Sequence, residues 1–301
     1  MFDLPIVYHP IYDLFSDQES RFPTGKYQEL RSVLEVSKIL SKKNLFVPRR
    51  VEFDTISLTH DQSYVSRVLN CSLSAKEKRE IGLSNIDHFS ERAVFSAGGT
   101  LLAAELALNF GVAANAAGGS HHANFSKGSG FCIFNDVAIA VNCLLKNGKV
   151  KNVLILDLDV HQGDGTAELF ESDSRVFTVS VHCQKNFPVK KAESDLDVGL
   201  EAAVNDDDYI KTIDKVFKAI REVPADLIIY NAGVDIHKND QLGYFDVSDA
   251  GLIMREKKVL DFVKEKKVPF VVTLGGGYQK NVAKLGDLHS MIFKEIVSQF
   301  L

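Results

Sequence analysis

The stretch that decides the fold is residues 156–165, which read LDLDVHQGDG and directly follow the apolar run 153–155. An apolar run of this kind predicts a buried strand, and side chains on a strand alternate between its two faces. Asp157, Asp159 and His161 therefore share one face at the end of the strand. Because buried charge must be paired or bound to a metal ion, this face predicts either a metal site or a salt-bridged strand end.

Composition places the chain among ordinary globular proteins. Of its 301 residues, 45% are hydrophobic and 25% are charged, and the formal net charge is −5. This weakly acidic balance gives no electrostatic reason to expect direct binding to nucleic acid. The four cysteines lack the C-x-x-C spacing, so we predict reduced thiols in a cytoplasmic protein rather than disulfides or zinc thiolates.

Targeting and membrane signals are weak. The opening residues MFDLP carry an acid and no basic region, so a signal peptide is not expected. The most apolar region, 93–118, is interrupted by Glu105, Asn109 and several glycines. It falls short of the ~20 apolar residues that span a bilayer and predicts a helix followed by a strand. We therefore expect a compact cytoplasmic protein of bacterial type without a membrane span.

Short apolar runs alternate with helical periodicity along the chain. The runs are apolar on both faces, which is typical of parallel strands covered by helices on each side. The predicted strands are 6–8, 112–117, 153–158, 176–181, 227–231 and 270–274. The predicted helices are 26–41, 91–109, 136–146, 206–221, 248–266 and 285–300. The pattern predicts a single domain over residues 1–301, with a three-layer α/β/α architecture and a mostly parallel central sheet.

Local signals refine three segments. Thr59 and Gln62 have the spacing of a capping box for the helix that follows. Asp207 and Asp208 fall in the first turn of their helix, where carboxylates favour the positive end of the helix dipole. Residues 50–86 show weaker periodicity and predict a less regular helical stretch.

A polar cluster follows each of five predicted strands. The clusters are GGSHH at 118–122, the stretch 157–164, SVH at 180–182, GVD at 233–235 and GGGY at 275–278. The carboxyl ends of parallel strands meet at one edge of a sheet, where open α/β folds bind their ligands. The five clusters therefore predict one composite site at that edge.

Three of these side chains form a predicted metal-ligand set, namely Asp159, His161 and Asp235. Three protein ligands that leave a coordination position open are typical of a catalytic metal centre rather than a structural one. Such a metal polarises a carbonyl and lowers the pKa of water toward ~7. Zinc fits this set best, although iron(II), cobalt or manganese would also accept two carboxylates and one imidazole.

Further side chains predict acid–base chemistry beside the metal. His121 and His122 follow glycines that allow a sharp turn, and adjacent side chains point differently, so unequal acid and base roles are expected. Asp157 and Asp164 remain available to orient the two rings. Tyr278 follows three glycines, which would let its hydroxyl reach an oxyanion opposite the metal. The alternatives are hydrogen-bonded structural histidines and a packed loop tyrosine.

Taken together, these clusters resemble the histone deacetylase superfamily of zinc-dependent hydrolases, which have an arginase-type α/β fold. The matching motifs are GGT at 98–100, GSHHA at 119–123, SGFCxxND at 129–136, DLDVHxGDG at 157–165, NAGVD at 231–235 and GGGY at 275–278. The opening motifs, IVYHP at 6–10 and RFPxGKY at 21–27, are most similar to class IV and related bacterial members. The resemblance covers nearly the whole chain.

The resemblance implies two metal sites near each other and a further cation site near Phe170 and Val176. In the first, Asp159, His161 and Asp235 would bind Zn²⁺, with Fe²⁺ as a possible replacement. The second would be a structural K⁺ site near the zinc, bound partly through backbone carbonyls. Its implied ligands are Asp157, Asp159, His161, Ser180 and Val181.

The resemblance also implies catalytic roles. His122, paired with Asp164, would act as general base and then as general acid. His121, paired with Asp157, would orient the attacking water and stabilise charge. Tyr278 would donate a hydrogen bond to the scissile carbonyl and its oxyanion.

A narrow tunnel for the substrate is implied as well. Phe131 and Phe187 would form its walls, with Gly130 beside Phe131 and Leu242 at the rim. The implied substrate is an acylated lysine in a protein or peptide, carrying an acetyl or a longer fatty acyl group. A tunnel of this shape would accept the methylene stem of lysine.

Other functions stay open at this level. In polyamine-specific relatives a glutamate stands seven residues after the last aspartate ligand. This chain has Leu242 at that position, but the carboxylate of Asp240 is close by in the sequence. An acetylated small amine is therefore kept as the second substrate class. A catalytically silent acyl-binding module and an arginase-like dinuclear ureohydrolase are the remaining alternatives. The complete set of ligands, histidines and tyrosine disfavours the first, and the single ligand set disfavours the second.

Some polar residues receive no assigned role. Many protein deacetylases grip the substrate backbone with an aspartate before the GG motif, and the only acid in residues 82–90, Asp87, has no clear alignment with it. Peptide recognition is therefore left open. The remaining histidines are expected at the surface or in structural hydrogen bonds, and they are His9, His60, His88, His182, His237 and His289.

Overall fold

The computed structural model describes residues 3–13, 21–83 and 86–300, with residues 86–88 described by backbone only. Within these residues, one sheet of eight strands forms the centre, and every neighbouring pair of strands is parallel. In chain order the strands are β1 (Ile6–Val7), β2 (Leu45–Phe46), β3 (Val112–Asn115), β4 (Val153–Asp157), β5 (Val176–Cys183), β6 (Leu196–Leu200), β7 (Leu227–Asn231) and β8 (Phe270–Thr273). Their spatial order is β2-β1-β3-β8-β7-β4-β5-β6.

Ten α-helices and one short 3₁₀ helix at Pro10–Tyr12 lie in the described part of the chain. The α-helices are α1 (Lys26–Val36), α2 (Phe53–Ile56), α3 (Gln62–Leu69), α4 (Ala75–Ile81), α5 (Ile86–Phe110), α6 (Asp136–Lys146), α7 (Asp164–Phe170), α8 (Asp206–Ile220), α9 (Asp249–Lys266) and α10 (Val282–Phe300).

Both faces of the sheet are buried because strand residues alternate between two apolar clusters. In β4, Leu154 and Leu156 face a cluster that includes residues of α1, α8, α9 and α10. Val153 and Ile155 face the opposite cluster, which includes residues of α5 and α6. Each fully buried aliphatic side chain stabilises the fold by roughly 1.5–3 kcal/mol. The predicted three-layer α/β/α architecture with a parallel sheet is confirmed.

All six predicted strands are present, with ends that shift by at most two residues. The sequence did not predict β2 and β6. β2 has only two residues, and β6 pairs on one side only, with β5. In β6, Asp197 and Gly199 are exposed, so the continuous apolar run that marks the central strands is missing there.

The capping box predicted for Thr59 and Gln62 is wrong. Asp61 is the N-cap of α3, and its carboxylate accepts a hydrogen bond from the Tyr64 backbone N–H at 2.9 Å. The Thr59 hydroxyl instead accepts a hydrogen bond from Asn142 Nδ2 at 3.0 Å. Aspartate is among the strongest N-cap residues, and its position immediately before the helix outweighs the more distant capping-box signal.

The other local predictions are close to the structure. Asp207 and Asp208 lie in the first turn of α8, whose N-cap is Asn205. The stretch predicted to be less regular contains three short helices, α2, α3 and α4. Helix α1 ends at Val36, five residues before its predicted end, because Lys38 adopts the left-handed backbone conformation with φ of 58°.

Helix α5 is the most apolar element of the chain. Its segment Phe89–Phe110 is long and apolar enough to cross a membrane by length and composition alone. In this structure 56% of that segment is buried inside the protein, against α6 and β3 among others. A mostly buried position is typical of a core helix that covers one face of a sheet.

Candidate metal centre and active site

The predicted metal ligands converge at the carboxyl ends of two adjacent strands. Asp159 and His161 follow β4, and Asp235 follows the neighbouring strand β7. One potential ligand atom from each side chain lies within 4.8 Å of the others, and all three residues are buried. His161 Nδ1 lies 3.1 Å from Asp159 Oδ1 and 3.1 Å from Asp235 Oδ2.

Backbone groups hold the two carboxylates in place. Asp159 accepts hydrogen bonds from the backbone N–H of His161 at 2.9 Å and of Gly276 at 2.6 Å. Asp235 Oδ1 accepts one from the backbone N–H of Val160 at 2.9 Å. Both oxygens of Asp159 and one oxygen of Asp235 are therefore held by backbone groups, which set how the two carboxylates approach His161.

This geometry fits a zinc ion. Two donors bound to the same tetrahedral zinc at about 2.0–2.1 Å lie about 3.3 Å apart, close to the spacing around His161 Nδ1. Burial alone lowers the pKa of His161, but Asp159 and Asp235 outweigh it and raise the pKa to about 10. Two buried carboxylates around one imidazole therefore form a pocket that favours a cation.

Two histidine–carboxylate pairs lie beside the ligand set. His121 Nδ1 is 2.6 Å from Asp157 Oδ2, and His122 Nδ1 is 2.6 Å from Asp164 Oδ1. The two imidazole rings are buried, with centroids 4.1 Å apart. His122 also lies 5.9 Å from the His161 ring, centroid to centroid. The Nδ1 contacts leave Nε2 of each ring available to a substrate or water.

The two histidines have opposite pKa shifts. For His121, burial lowers the pKa, but the charges of Asp157 and Asp159 outweigh this effect and raise it to about 9. For His122, burial and the neighbouring His121 lower the pKa to about 4. The environments of the two rings are therefore unequal, and the unequal acid and base roles of the pair stay a prediction.

Asp136 and Asn231 support these pairs, and the sequence analysis gave neither a role. Asp136, at the start of α6, accepts hydrogen bonds from the backbone N–H of Gly119 at 3.1 Å and of Ser120 at 2.7 Å, and from the Thr100 hydroxyl. It thereby fixes the turn before the histidines. Asn231 Nδ2 donates to Asp157 Oδ1 at 3.1 Å. Both residues lie inside motifs quoted from the sequence, but the sequence does not show which groups their side chains bond.

Tyr278 closes the site from the strand β8 side. Its ring centroid lies 6.0 Å from that of His161 and 5.7 Å from that of Phe131. Burial and the charges of Asp159 and Asp235 raise the pKa of the Tyr278 hydroxyl well above its ordinary value. The hydroxyl therefore keeps its proton and can donate a hydrogen bond.

The glycines before Tyr278 are required by close approach. A Cβ atom on Gly276 would lie 2.0 Å from Asp235 Oδ2, and one on Gly275 would lie 2.6 Å from Asn231 Oδ1. Gly275 also has φ of 62°, which side chains rarely adopt. The loop can pass over the ligand set only because these positions lack side chains.

A cavity of about 300 Å³ leads from the surface to His122, His161 and Tyr278. All four predicted substrate residues line it, and these are Gly130, Phe131, Phe187 and Leu242. Phe187 packs edge-on against His122 at 4.8 Å between centroids. The outer end is lined by Arg21, Glu80 and Tyr244. The mouth is therefore mostly aromatic and aliphatic, with one cationic and one anionic side chain.

The residues predicted for K⁺ lie at the ends of β4 and β5. Asp157 pairs in register with Ser180, and Val181 follows it on β5. Asp157 is already bonded to His121 and Asn231, and Ser180 Oγ lies 3.0 Å from His182 Nδ1. A cation there would rely on backbone carbonyls, as the sequence analysis expected, and the site stays a prediction.

Several histidines without an assigned role are held by structural hydrogen bonds. His60 Nδ1 lies 2.7 Å from the Asn124 carbonyl, and the Asn135 N–H donates to His60 Nε2 at 3.0 Å. His237 Nε2 lies 2.9 Å from Asp249 Oδ1. The side chains of Asp87 and His88 lie outside the described part of the chain, so the question of substrate gripping at residue 87 is not tested.

Several known proteins are similar to this chain in sequence. The family model of the histone deacetylase domain matches residues 20–293. An uncharacterised protein from a Picosynechococcus strain is 40% identical over 291 residues, covering 96% of this chain and 97% of its own. Histone deacetylase 2 of Arabidopsis thaliana is 29% identical, covering 94% of this chain and 78% of its own.

The solved structures agree on the fold. A histone deacetylase homologue in complex with SAHA superposes with a TM-score of 0.85 at 22% identity, covering 99% of this chain and 84% of its own. A parallel sheet with a buried carboxylate–imidazole set at its carboxyl edge could hold a metal ion there. The chain belongs to the histone deacetylase family and is a hydrolase that acts on linear amide bonds.

Proposed function

We propose that this protein is a zinc-dependent lysine deacylase that removes an acetyl or longer fatty acyl group from lysine side chains of proteins. One observation carries the proposal. A cavity walled by Phe131 and Phe187 ends at His122, His161 and Tyr278, where the metal-ligand set and the acid–base groups meet. An aromatic tunnel of this kind suits the methylene stem of an acylated lysine.

Asp159, His161 and Asp235 would hold the metal ion, for which zinc is our assignment and Fe²⁺ the replacement. When bound, zinc would polarise the acyl carbonyl and lower the pKa of the attacking water. The side chains around it would then move the protons and stabilise the developing charge.

His122 would accept the proton of the attacking water through Nε2, because its Nδ1 is held by Asp164 at 2.6 Å. It would later give that proton to the leaving lysine amine. His121, held by Asp157 at 2.6 Å, would orient the water and stabilise the developing negative charge. The Tyr278 hydroxyl would donate a hydrogen bond to the oxyanion.

The remaining assignments concern a second cation and the chain as a whole. We assign a structural K⁺ site to Asp157, Asp159, His161, Ser180 and Val181. We also infer that residues 1–301 form one catalytic domain that acts in the cytoplasm of a bacterial cell and does not contact nucleic acid directly.

Glu80 supports a second candidate, the deacetylation of acetylpolyamines or similar small amines. This exposed carboxylate lines the outer end of the mouth, where it would attract the distant cation of a polyamine. The position of the polyamine-specific glutamate is occupied by apolar Leu242, which lines the same mouth. Arg21 at the mouth also opposes a cationic ligand, so we place this function second.

The test is a comparison of kcat/KM for the zinc-loaded protein on four substrates. They are matched acetyl-lysine and myristoyl-lysine peptides, N-acetylputrescine and N8-acetylspermidine. We expect a peptide to be the best substrate, and the ratio of the two peptides gives the preferred acyl length. A better rate on either acetylpolyamine would replace the proposal with the second candidate, and zinc-bound protein inactive on all four substrates would contradict both.

A further inference from the structure

Asp240 lies in the loop between β7 and α9, and its carboxylate binds two loops at once. Oδ1 accepts hydrogen bonds from the backbone N–H of Leu242 at 2.8 Å and of Gly243 at 3.0 Å, both in its own loop. Oδ2 accepts one from the backbone N–H of Tyr278 at 2.7 Å, in the loop after β8. The side chain is therefore not a free acid at the mouth, which was the use considered for it in a polyamine deacetylase.

Two of the three N–H groups belong to residues that line the substrate cavity. Leu242 lines the mouth, and Tyr278 lines the inner end next to His161. Hydrogen bonds to an ionised carboxylate are shorter and roughly twice as strong as neutral ones. One side chain thus fixes the distance between the rim and the residue proposed to donate to the oxyanion.

The loop that carries Tyr278 has little stiffness of its own. Gly275, Gly276 and Gly277 precede the tyrosine, and glycine restricts the backbone less than any other residue. The position of the Tyr278 backbone must therefore be set by bonds from outside its loop. The bond from Asp240 is made directly to the tyrosine itself.

A second bond joins the same two loops without touching Tyr278. Gln279 Nε2 lies 2.8 Å from His237 Nδ1, and His237 Nε2 lies 2.9 Å from Asp249 Oδ1. This link holds the loop after β8 to the protein one residue beyond the tyrosine. We therefore expect the fold to survive loss of the Asp240 bond, with Tyr278 displaced locally.

We propose that Asp240 is the positioning residue of Tyr278, acting through the tyrosine backbone and not through contact with substrate. The inference rests on the proposed function, in which the Tyr278 hydroxyl stabilises the oxyanion. A catalytic group misplaced by 1 Å can cost on the order of 100-fold in rate. Asp240 would thus control the turnover number rather than the binding of the acyl-lysine.

The test is a double-mutant cycle on the full-length zinc-loaded protein with its best substrate. The Asp240→Asn substitution replaces one carboxylate oxygen with an amide NH₂. This donor faces a backbone N–H donor of one of the loops, so that hydrogen bond is lost. We expect kcat to fall by about 10- to 100-fold with little change in KM. Tyr278→Phe should lower kcat by ~10²–10³, the usual effect of losing an oxyanion donor. The double variant should be no slower than Tyr278→Phe alone, because the displaced phenol is already absent.

Asp226→Asn is the matched control. The Asp226 carboxylate accepts backbone hydrogen bonds from Lys151 at 2.8 Å and from Asn152 at 2.9 Å, at the start of β4 and away from the site. It should keep kcat within about twofold, in line with a surface substitution that touches no functional group. Thermal melting of each variant shows whether the fold is retained. If Asp240→Asn does not fold, Asp240→Glu replaces it, because the glutamate side chain keeps the negative charge but is one methylene longer.

The outcomes separate the inference from the function on which it rests. An unchanged kcat in Asp240→Asn would overturn the role of Asp240 and leave the proposed function intact. A double variant in which the effects of Asp240→Asn and Tyr278→Phe multiply would do the same. A Tyr278→Phe enzyme with full activity would instead refute the proposed role of the phenol, and the role of Asp240 with it.

Discussion

At the scale of single residues, each buried carboxylate of the site has more than one hydrogen-bonding partner. Asp157 binds His121 and Asn231, and Asp159 binds two backbone N–H groups as well as facing His161. Sharing of this kind leaves few unpaired lone pairs on buried charges, which would otherwise be costly. It also means that a single substitution changes several contacts, so metal content must be measured together with activity.

We expect Asp159→Ala and His161→Ala to lose bound metal and activity together, because each removes one of only three protein ligands. Metal analysis of the purified variants by mass spectrometry gives the stoichiometry. His60→Gln, which changes a buried histidine away from the site, should keep the full metal content. Stoichiometric zinc in both ligand variants would show that the ligand assignment is wrong.

The grouping of the candidate metal ligands could be predicted because they follow buried strands, and parallel strands bring their ends together. The residues that hold the site in place through hydrogen bonds could not be predicted. Asp136 binds the N–H of Ser120, and Asp240 binds the N–H of Tyr278, which lies 38 positions further along the chain. Every residue except proline has the same backbone N–H donor, so residue type at the donating position gives no signal and only the folded chain shows these bonds.

At the scale of elements, no strand residue lines the described cavity, and most of its lining residues lie in loops. The loop that contains Phe187 is joined to the loop after β7 by the bond from Asn186 Nδ2 to the Leu242 carbonyl, 2.7 Å long. This bond ties together the two loops that carry Phe187 and Leu242, both of which line the cavity. A charge introduced on one of them will act on the substrate rather than swing away.

We expect Leu242→Glu to shift preference toward acetylpolyamines by about tenfold in relative kcat/KM, equal to ~1.4 kcal/mol. The new carboxylate would pair with the distant cation of the substrate, and the shift should shrink at high salt. Leu242→Gln, similar in size but neutral, is the control. Equal preferences in the glutamate and glutamine variants would show that residue 242 does not contact this part of the substrate.

His60 links the region before α3 to the start of α6, and its titration should affect stability. Burial lowers its pKa from 6.5 to about 4 in the folded protein. The unfolded chain then binds a proton that the folded chain does not, so stability is full above pH 6.5 and falls as the pH drops toward 4. The loss should approach about 3 kcal/mol.

The measurement is the free energy of unfolding in urea at pH 8 and at pH 4.5, for the original protein and for His60→Gln. Glutamine can accept from Asn135 and donate to Asn124 as His60 does, without titrating. The original protein should lose about 2–3 kcal/mol more than the variant. The same loss in both proteins would mean that His60 is not held neutral.

The central strands could be predicted, but the edge strands could not. β4 and β7 are apolar on both faces, and this pattern is visible in the sequence. β2 gains its strand conformation from two residues paired to β1, and β6 from pairing with β5. Pairing with a neighbour, and not the local pattern, determines these elements.

At the scale of the whole molecule, the continuous sheet predicts that the chain unfolds as one unit. We expect a single calorimetric transition, with equal calorimetric and van't Hoff enthalpies. Saturating zinc should raise the melting temperature by about 5 °C over chelator-treated protein, because the ligand set exists only in the folded state. Two resolved transitions would contradict the proposal that residues 1–301 form one domain.

The strand order also governs when the protein can fold during its synthesis. β3 lies between β1 and β8, and its partner β8 is made more than 150 residues later. Residues 1–115 are therefore made with one edge of β3 still unpaired, and an unpaired strand edge can associate with other chains. Asp235 and Tyr278 are also late products of translation, so the proposed metal site is complete only after most of the chain has been made.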